Sequence, residues 1–435
     1  MAIAVVVPLS ACEPGCAPTV PGPAPSTLRR VHVDTAAGAA IVNTEDYVDG
    51  TVRVVAPDGA DETNAMTTRI RGRGNSTWVM PKKPYRLRLD AAAPLAGMPA
   101  ARNWALLANY SDKSLVRNRL AMDLGDQVGL DYSPRSEFVE LYLNGAYQGV
   151  YELFEHVEIG PDRIPVPQLD PDSDTAAGVI TGGYHLEVDH RLDEDVCWST
   201  ARGVPICSKD PEFDPTAVTD PAHPSSAQHR YITNYVNEAE AAINTPGDSY
   251  AAYFDVDAMV DWYLVSELMK NTDSRIAAAG AGAGGFTSSV FLYKDRGGKL
   301  EFGPLWDFDI AAGNTNYNGL EDPTGWWIRE SDWHAPLFAH SSFGREVFTQ
   351  WCQLRRDGVI AGIPARIDSI VAEIGPVAVG ENFERWPILG VYVWPNAFVG
   401  ATHQEEVDYL KTWLATRADW MHTEYTSEFG ACPAA

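Results

Sequence analysis

The chain has 435 residues, with 33 Lys and Arg against 59 Asp and Glu, giving a formal net charge of −26 and a pI near 4.7. A field of that sign repels phosphodiester polymers, which excludes a nucleic-acid-coating protein as the default, and no nucleic-acid partner is expected. Hydrophobic residues make up 45% and aromatic residues 10%, a globular composition, and no run of about 18 apolar residues offers a membrane-spanning helix.

Residues 2–9 (AIAVVVPL) are apolar and lead into Leu9-Ser10-Ala11-Cys12, the pattern of a bacterial lipoprotein signal ending at the cysteine that takes lipid. The basic start of such a signal is missing and the apolar stretch is short, as a mis-assigned start codon would leave them. The alternative is a Cys12–Cys16 disulfide with nothing cleaved. The following CAPTVPGPAPS is a Pro-rich stalk that packs no core, so residues 1–26 are set apart from the fold.

From 30 to 90, RRVHVDT, YVDGTVRVVAPDG, TTRIRGRGNST and YRLRLD alternate apolar and polar residues between turn formers, which predicts a small antiparallel sheet. Over 112–128, Leu115, Val116, Leu120 and Leu124 share a helical stripe that Ser111 or Asp112 would cap. Residues 136–159 read as a hairpin about Asn144-Gly145. The Pro- and Asp-rich stretch 160–178 reads as a hinge, and GGYHLEVDH as one more strand. In the long polar loop 190–228, Cys197 and Cys207 predict a disulfide formed in an oxidising compartment, and Cys352 with Cys432 would tie down the tail. Helices are predicted over 231–244, 256–270 (capped by Asp255 or Asp257), 343–356, 362–374 and 403–426. A GAGAGG insert at 280–285 and a hairpin from VFLYKD to KLEFGPLWDFD lie between the second and third. A sheet-rich first third and a helix-rich remainder make an α+β chain of two lobes.

Three constellations carry chemistry. Arg71-Gly72-Arg73-Gly74-Asn75-Ser76-Thr77-Trp78, followed by Lys82-Lys83-Pro84-Tyr85, gathers cations and small residues in an acidic protein. Its glycines allow close backbone approach to an anion, and its Arg, Asn and Ser donors suit phosphate oxygens. No Gly-Lys-Ser/Thr ends the run, so it is not a Walker A loop. Lys270-Asn271-Thr272-Asp273 ends a predicted helix, and Trp306-Asp307-Phe308-Asp309 follows a strand. That is a phosphotransferase layout, one carboxylate orienting the attacking hydroxyl and another holding magnesium. Taken singly, each has a plainer account, a solvated basic hairpin or an aspartate capping a turn. The order of the parts is that of a protein kinase, without its His-Arg-Asp, Asp-Phe-Gly or Val-Ala-Ile-Lys signatures. His156, His185, His190 and His334 have no metal-ligand spacing and there is no Gly-x-Ser-x-Gly elbow, which disfavours zinc and serine hydrolases. Trp326, Trp327 and Trp333 read as core.

In order, RGRGNSTW, PKKPYRL, SDKSLVRNRLA, FVELYLNGAYQGVYELFE, GGYHLEVD, the Asn-Thr-Asp of KNTDS, and GPLWDFDIAAGN resemble the successive motifs of the CotH family, the spore-coat-protein-H-like kinases. The match runs over about residues 65–315, with a looser helical tail. The resemblance implies a two-lobed atypical protein-kinase fold, with a sheet-rich N-lobe (about 27–160) and a mainly helical C-lobe (about 161–435). It implies transfer of the γ-phosphate of ATP, with Mg²⁺ or Mn²⁺, to Ser or Thr of a protein substrate. Asp273 takes the catalytic-base position and Asp307 the metal position, with Asp309 as a second ligand or a structural neighbour. Lys83 is the lysine expected to reach the nucleotide phosphates, with Lys82 as the alternative, and Arg71, Asn75 and Ser76 lie on the phosphate-covering hairpin. Glu152 and Glu155 sit where a hinge to the adenine would run. The implied protein is exported, at the cell surface or extracellular, with Cys12 as its expected lipid anchor. Two alternatives stay open: a non-catalytic kinase-fold adhesin or scaffold, and the same fold transferring a nucleotidyl group. The GAGAGG insert departs from the family pattern and is either a gate to the substrate groove or a neutral expansion.

Overall fold

A computed structural model of the protein describes residues 26–279 and 287–433. Cys12, Cys16, nearly all of the Pro-rich stalk and the GAGAGG insert lie outside the described residues. The chain is a mixed α+β structure. Its first part comprises β1 (Arg29–Thr35), β2 (Val48–Val55), β3 (Met66–Gly72), β4 (Tyr85–Leu95), β5 (Met98–Leu107), α1 (Arg117–Val128), β6 (Ser136–Leu143) and β7 (Ala146–Glu155). The strands are ordered β1-β2-β3-β4-β5-β7-β6 and close on themselves, so the small antiparallel sheet expected over residues 30–90 is part of a closed seven-stranded barrel. Closure comes from a parallel pairing of β1 with β6, Val31 lying opposite Leu141. Alternation explains the interior: Val31, Val33, Val52, Val54, Leu87, Trp104, Leu106 and Leu153 are fully buried within it, while their strand neighbours face outward. Among the described residues, pairing both edges leaves no strand of the barrel open to another chain.

The β6–β7 hairpin turns at Asn144 (φ 50°) and Gly145 (φ 75°), the two positive dihedrals that a tight two-residue hairpin turn requires. Helix α1 begins at Arg117, five residues later than the stripe suggested. Asp112 instead organises a buried turn, accepting from the backbone N–H groups of Ser114 (3.1 Å) and Arg117 (2.9 Å).

The second part is built on β8 (Tyr184–Val188), β9 (Cys197–Ser199), β10 (Pro205–Asp210), β11 (Val290–Lys294) and β12 (Leu300–Phe302), ordered β12-β11-β8-β10-β9. Two strands therefore lie within what reads as a loop at 190–228. Cys197 and Cys207 face each other across β9 and β10 and are bonded, and Cys352 is bonded to Cys432. Helices α2 (Pro224–Ile243), α3 (Val256–Leu268), α4 (His334–His340), α5 (Phe343–Arg356), α6 (Val359–Ile374), α7 (Pro376–Arg385) and α8 (His403–Phe429) complete this part, with α3 against β12 of this sheet and α7 against β7 of the barrel. Asp255 caps α3, accepting from the Ala258 N–H at 3.1 Å, and every residue from Met259 to Leu268 is buried, which makes α3 the central helix. Among the described residues no helix is long and apolar enough to cross a membrane.

Candidate active site

A cleft of about 780 Å³ runs between the barrel and the second sheet. Its barrel wall carries Arg71, Arg73, Asn75, Ser76, Arg86 and Arg88, and its opposite wall carries Asp273, Asp307 and Asp309. Of the residues expected from the sequence, Arg71, Asn75, Ser76, Asp273, Asp307 and Asp309 are thus brought together. Lys83 is not. Its Nζ donates to the Trp78 carbonyl at 2.5 Å and sits 5.1 Å from that indole. The neighbouring Lys82 lines the cleft, fully buried, donating to the Val150 carbonyl and to Asn382 Oδ1 at 3.0 Å. Burial without a carboxylate partner holds its ammonium well below the usual lysine range.

The carboxylate wall is positioned by the buried turn before α1 and by the end of α3. The Arg117 guanidinium pairs with Asp112 at 2.5 Å and donates to the carbonyls of Ala311 (3.0 Å) and Ala312 (3.3 Å), so α1 grips the chain just past Asp309. A second line starts in the barrel. Glu152 accepts from Ser136 Oγ (2.7 Å) and Asn109 Nδ2 (3.0 Å), Asn109 accepts from Asn118 (3.2 Å), and Asn118 Oδ1 accepts from the Phe308 N–H (2.7 Å) between the two aspartates. Thr272 Oγ1 and Thr315 Oγ1 both donate to the Ile310 carbonyl, at 3.1 and 2.7 Å, and the Ala312 N–H donates to Met269 at 2.6 Å. The segment bearing Asp273 and the segment bearing Asp307 and Asp309 are therefore laced into one unit. Asp307 holds φ at 65°, a conformation that costs a non-glycine residue roughly 1–3 kcal/mol and persists where surroundings over-determine it.

Burial, then the charges of Asp307, Asp112 and Asp273, push the Asp309 carboxyl up to about 8. Burial, then Asp307, pushes Asp273 up to about 7, against the pull of Arg191. The same two carboxylates add to burial in raising the Tyr317 phenol to about 12, and Tyr317 stacks on Trp394 with ring centroids 6.2 Å apart. Mutual repulsion of three acidic groups in one cleft, all hard oxygen donors, fits a divalent cation of the Mg²⁺ or Mn²⁺ type. Among the described residues no three His, Cys, Asp or Glu side chains converge into a self-sufficient metal cage.

Glu152 and Glu155 do not line the cleft; Glu155 accepts from Tyr132 and Arg135 and pairs with the latter at 2.8 Å. Sequence reasoning gave no role to Arg73, Arg86, Tyr317 or Trp394, all close to the carboxylates or in the same cleft. For Arg73 a signal existed, since it lies two residues from Arg71, the spacing that puts side chains on one side of an extended segment, just past the end of β3 at Gly72.

The family model described as CotH kinase protein matches residues 70–421. Inner spore coat protein H of Bacillus subtilis (strain 168) is 35% identical over 89 residues, 20% of this chain and 24% of that protein. The match thus spans about a quarter of the length of that curated relative.

Proposed function

The chain belongs to the CotH kinase family, and from that premise we propose that it is an exported protein kinase transferring the γ-phosphate of ATP to Ser or Thr of surface or extracellular proteins. One observation carries the reading: Asp273, Asp307 and Asp309 share a cleft with the basic, Gly-rich RGRGNS segment facing them. Arg71, Asn75 and Ser76 supply donors to the nucleotide phosphates. Asp307 and Asp309 would hold Mg²⁺ or Mn²⁺, which when bound neutralises charge on the phosphates. Asp273, poised near neutrality by burial and by Asp307, accepts the proton of the acceptor hydroxyl. As the bond from that oxygen to the γ-phosphorus forms, the bond to the β,γ-bridging oxygen breaks and its electron pair leaves on ADP. Export is supported by the two disulfides, which persist in oxidising compartments.

The test is incubation with γ-labelled ATP, Mg²⁺ or Mn²⁺ and a generic basic protein acceptor, alongside Asp273→Asn. Label entering protein with the parent alone is the expected result. A mass increment of about 329 Da in place of about 80 Da on the acceptor would mean nucleotidyl transfer. No label, with no nucleotide-dependent rise in melting temperature, would leave a non-catalytic scaffold.

A further inference from the structure

Among the described residues Arg73, Arg86 and Arg88 are the cleft cations whose side chains make no hydrogen bond or ion pair. Arg73 is set apart from the other two by lying over Trp306, the residue before Asp307, with Asp307 and Asp309 among the charges acting on it where Tyr47 and Glu158 act on Arg86. Arg71 is committed to the Thr44 carbonyl at 2.5 Å and lies 4.9 Å from the Tyr47 ring. Lys82 is bound to Val150 and Asn382, Arg191 to Asp189 at 3.3 Å, and Lys209 to Glu187 at 3.1 Å. The Arg73 guanidinium lies 5.4 Å from the Trp306 ring, and among the described residues it makes no hydrogen bond and no ion pair. Burial is the largest influence on it and lowers its pKa, and the first charge acting against that is Asp307, with Asp309 further down the order.

Its place is fixed nonetheless. The Arg73 N–H donates to the Pro84 carbonyl at 3.2 Å, and Gly74 next to it turns at φ +77°, where a Cβ would meet Thr77 Oγ1 at 2.1 Å. Trp306 supplies a flat platform beneath the guanidinium, and its own chain position is the residue before Asp307. A five-donor planar cation thus faces the two carboxylates across a gap, with no ion pair to spend it on.

Resting on the phosphotransfer reading, we infer that Arg73 is a catalytic residue that binds the γ-phosphoryl group as it transfers, a transition-state arginine built into the Gly-rich segment. The acceptor oxygen bonds to the γ-phosphorus, the bond to the bridging oxygen breaks, its electron pair goes to ADP and the acceptor proton to Asp273. Arg73 holds the equatorial oxygens throughout and gives up no proton. Because the group contacted is the moving phosphoryl and not the leaving ADP, the interaction strengthens along the reaction and acts on kcat more than on ground-state binding.

The experiment compares the full protein with Arg73→Gln and Arg73→Lys in phosphotransfer kinetics and in binding of ADP·Mg²⁺ with and without aluminium fluoride, which mimics the transferring phosphoryl. Arg73→Gln is expected to lower kcat on the order of 10²- to 10³-fold, to leave KM for ATP within about 3-fold, and to lose the tightening that aluminium fluoride adds to ADP. Arg73→Lys should recover part of kcat, since charge returns without the bidentate fork. Unchanged ADP binding by Arg73→Gln reports that the cleft is intact. The inference is overturned if Arg73→Gln keeps parental kcat, or if its loss appears wholly in KM and ADP affinity. A parent that neither transfers phosphate nor binds ADP instead overturns the phosphotransfer reading on which it rests.

Discussion

Replacing Glu152 by Gln tests how a charge in the barrel wall is linked to the site. Glu152 is fully buried, and desolvation pushes its carboxyl from 4.5 to about 7, opposed by the hydrogen bonds from Ser136 and Asn109. Its folded pKa lies above its unfolded one, so between these values the folded state holds a proton that the unfolded state has released. Stability from this group is therefore fully present below about pH 4.5, declines as pH rises toward 7, and is constant above it. A displacement from 4.5 to about 7 at 1.36 kcal/mol per unit corresponds to roughly 3 kcal/mol. Gln keeps the geometry: its Oε1 accepts from Asn109, and its amide N–H donates to Ser136 Oγ, which can accept as well as donate. The chain from Asn109 through Asn118 to the Phe308 N–H is then preserved. Urea unfolding of both proteins at pH 5 and pH 8.5 should show Glu152→Gln gaining about 2.5 kcal/mol on the parent between the two pH values, since part of the effect is already lost at pH 5, with m unchanged. Equal pH dependence in the two proteins would refute the reasoning. Glu152→Ala should lower phosphotransfer as well, because it leaves Asn109 and Ser136 without their shared acceptor.

The carboxylate wall predicts that binding of Mn²⁺, followed by its effect on melting temperature, strengthens with pH. Asp309 titrates near 8 and must lose its proton to act as a ligand, so its contribution to affinity should rise on the order of 50-fold from pH 6 to pH 8; a flat profile would exclude it from the ligand set. Arg417→Met strands Glu267, whose carboxylate pairs with that arginine at 2.5 Å and accepts from the Trp327 and Arg329 N–H groups. We expect a loss of about 3–5 kcal/mol, recovered in part in the double variant with Glu267→Gln, whose amide nitrogen cannot accept from one of those two N–H groups. The Cys352–Cys432 bond closes an 80-residue separation, so replacing both cysteines by serine should lower the urea midpoint by the equivalent of about 2–4 kcal/mol.

Local signals in the sequence carry far into the structure. The Asn144-Gly145 turn, the cap at Asp255, the disulfide pairs and helix 343–356 all rest on chemistry within a few residues or on unusual residue types. What was illegible rests on long-range pairing. Nothing in β1 announces a parallel partner a hundred residues away, so the barrel reads as a sheet with two free edges. β9 is three residues long and is held by its neighbour and the disulfide, which leaves no periodicity to detect. The two lysines show the same limit at the site. On an extended segment, successive side chains point to opposite sides, and the sequence does not say which side faces the cleft. The structure turns Lys82 inward and lays Lys83 on Trp78. Arg71 and Arg73 share parity, so a reading that selects the first has a physical reason to select both.

The cleft joins two arrangements that are each unfavourable alone. Asp273 and Asp309 are raised by burial and then by the charge of Asp307, and Arg73 is enclosed without an ion pair. Direct contact between the walls would relieve both, yet the walls stay apart because each is tied behind: the carboxylates through Arg117, Asn118 and Thr272, the arginine loop through Pro84 and the turn at Gly74. A cation beside the carboxylates and an oxyanion under the guanidinium would satisfy both walls at once, and either ligand alone would satisfy one. That predicts reciprocal binding. ADP with aluminium fluoride should bind more tightly in the presence of Mn²⁺ than in its absence, Mn²⁺ should bind more tightly with ADP and aluminium fluoride by the same factor, and Asp307→Ala should abolish the factor in both directions. Independent binding of the two in calorimetric titrations of the parent would mean that the walls do not act on a shared ligand.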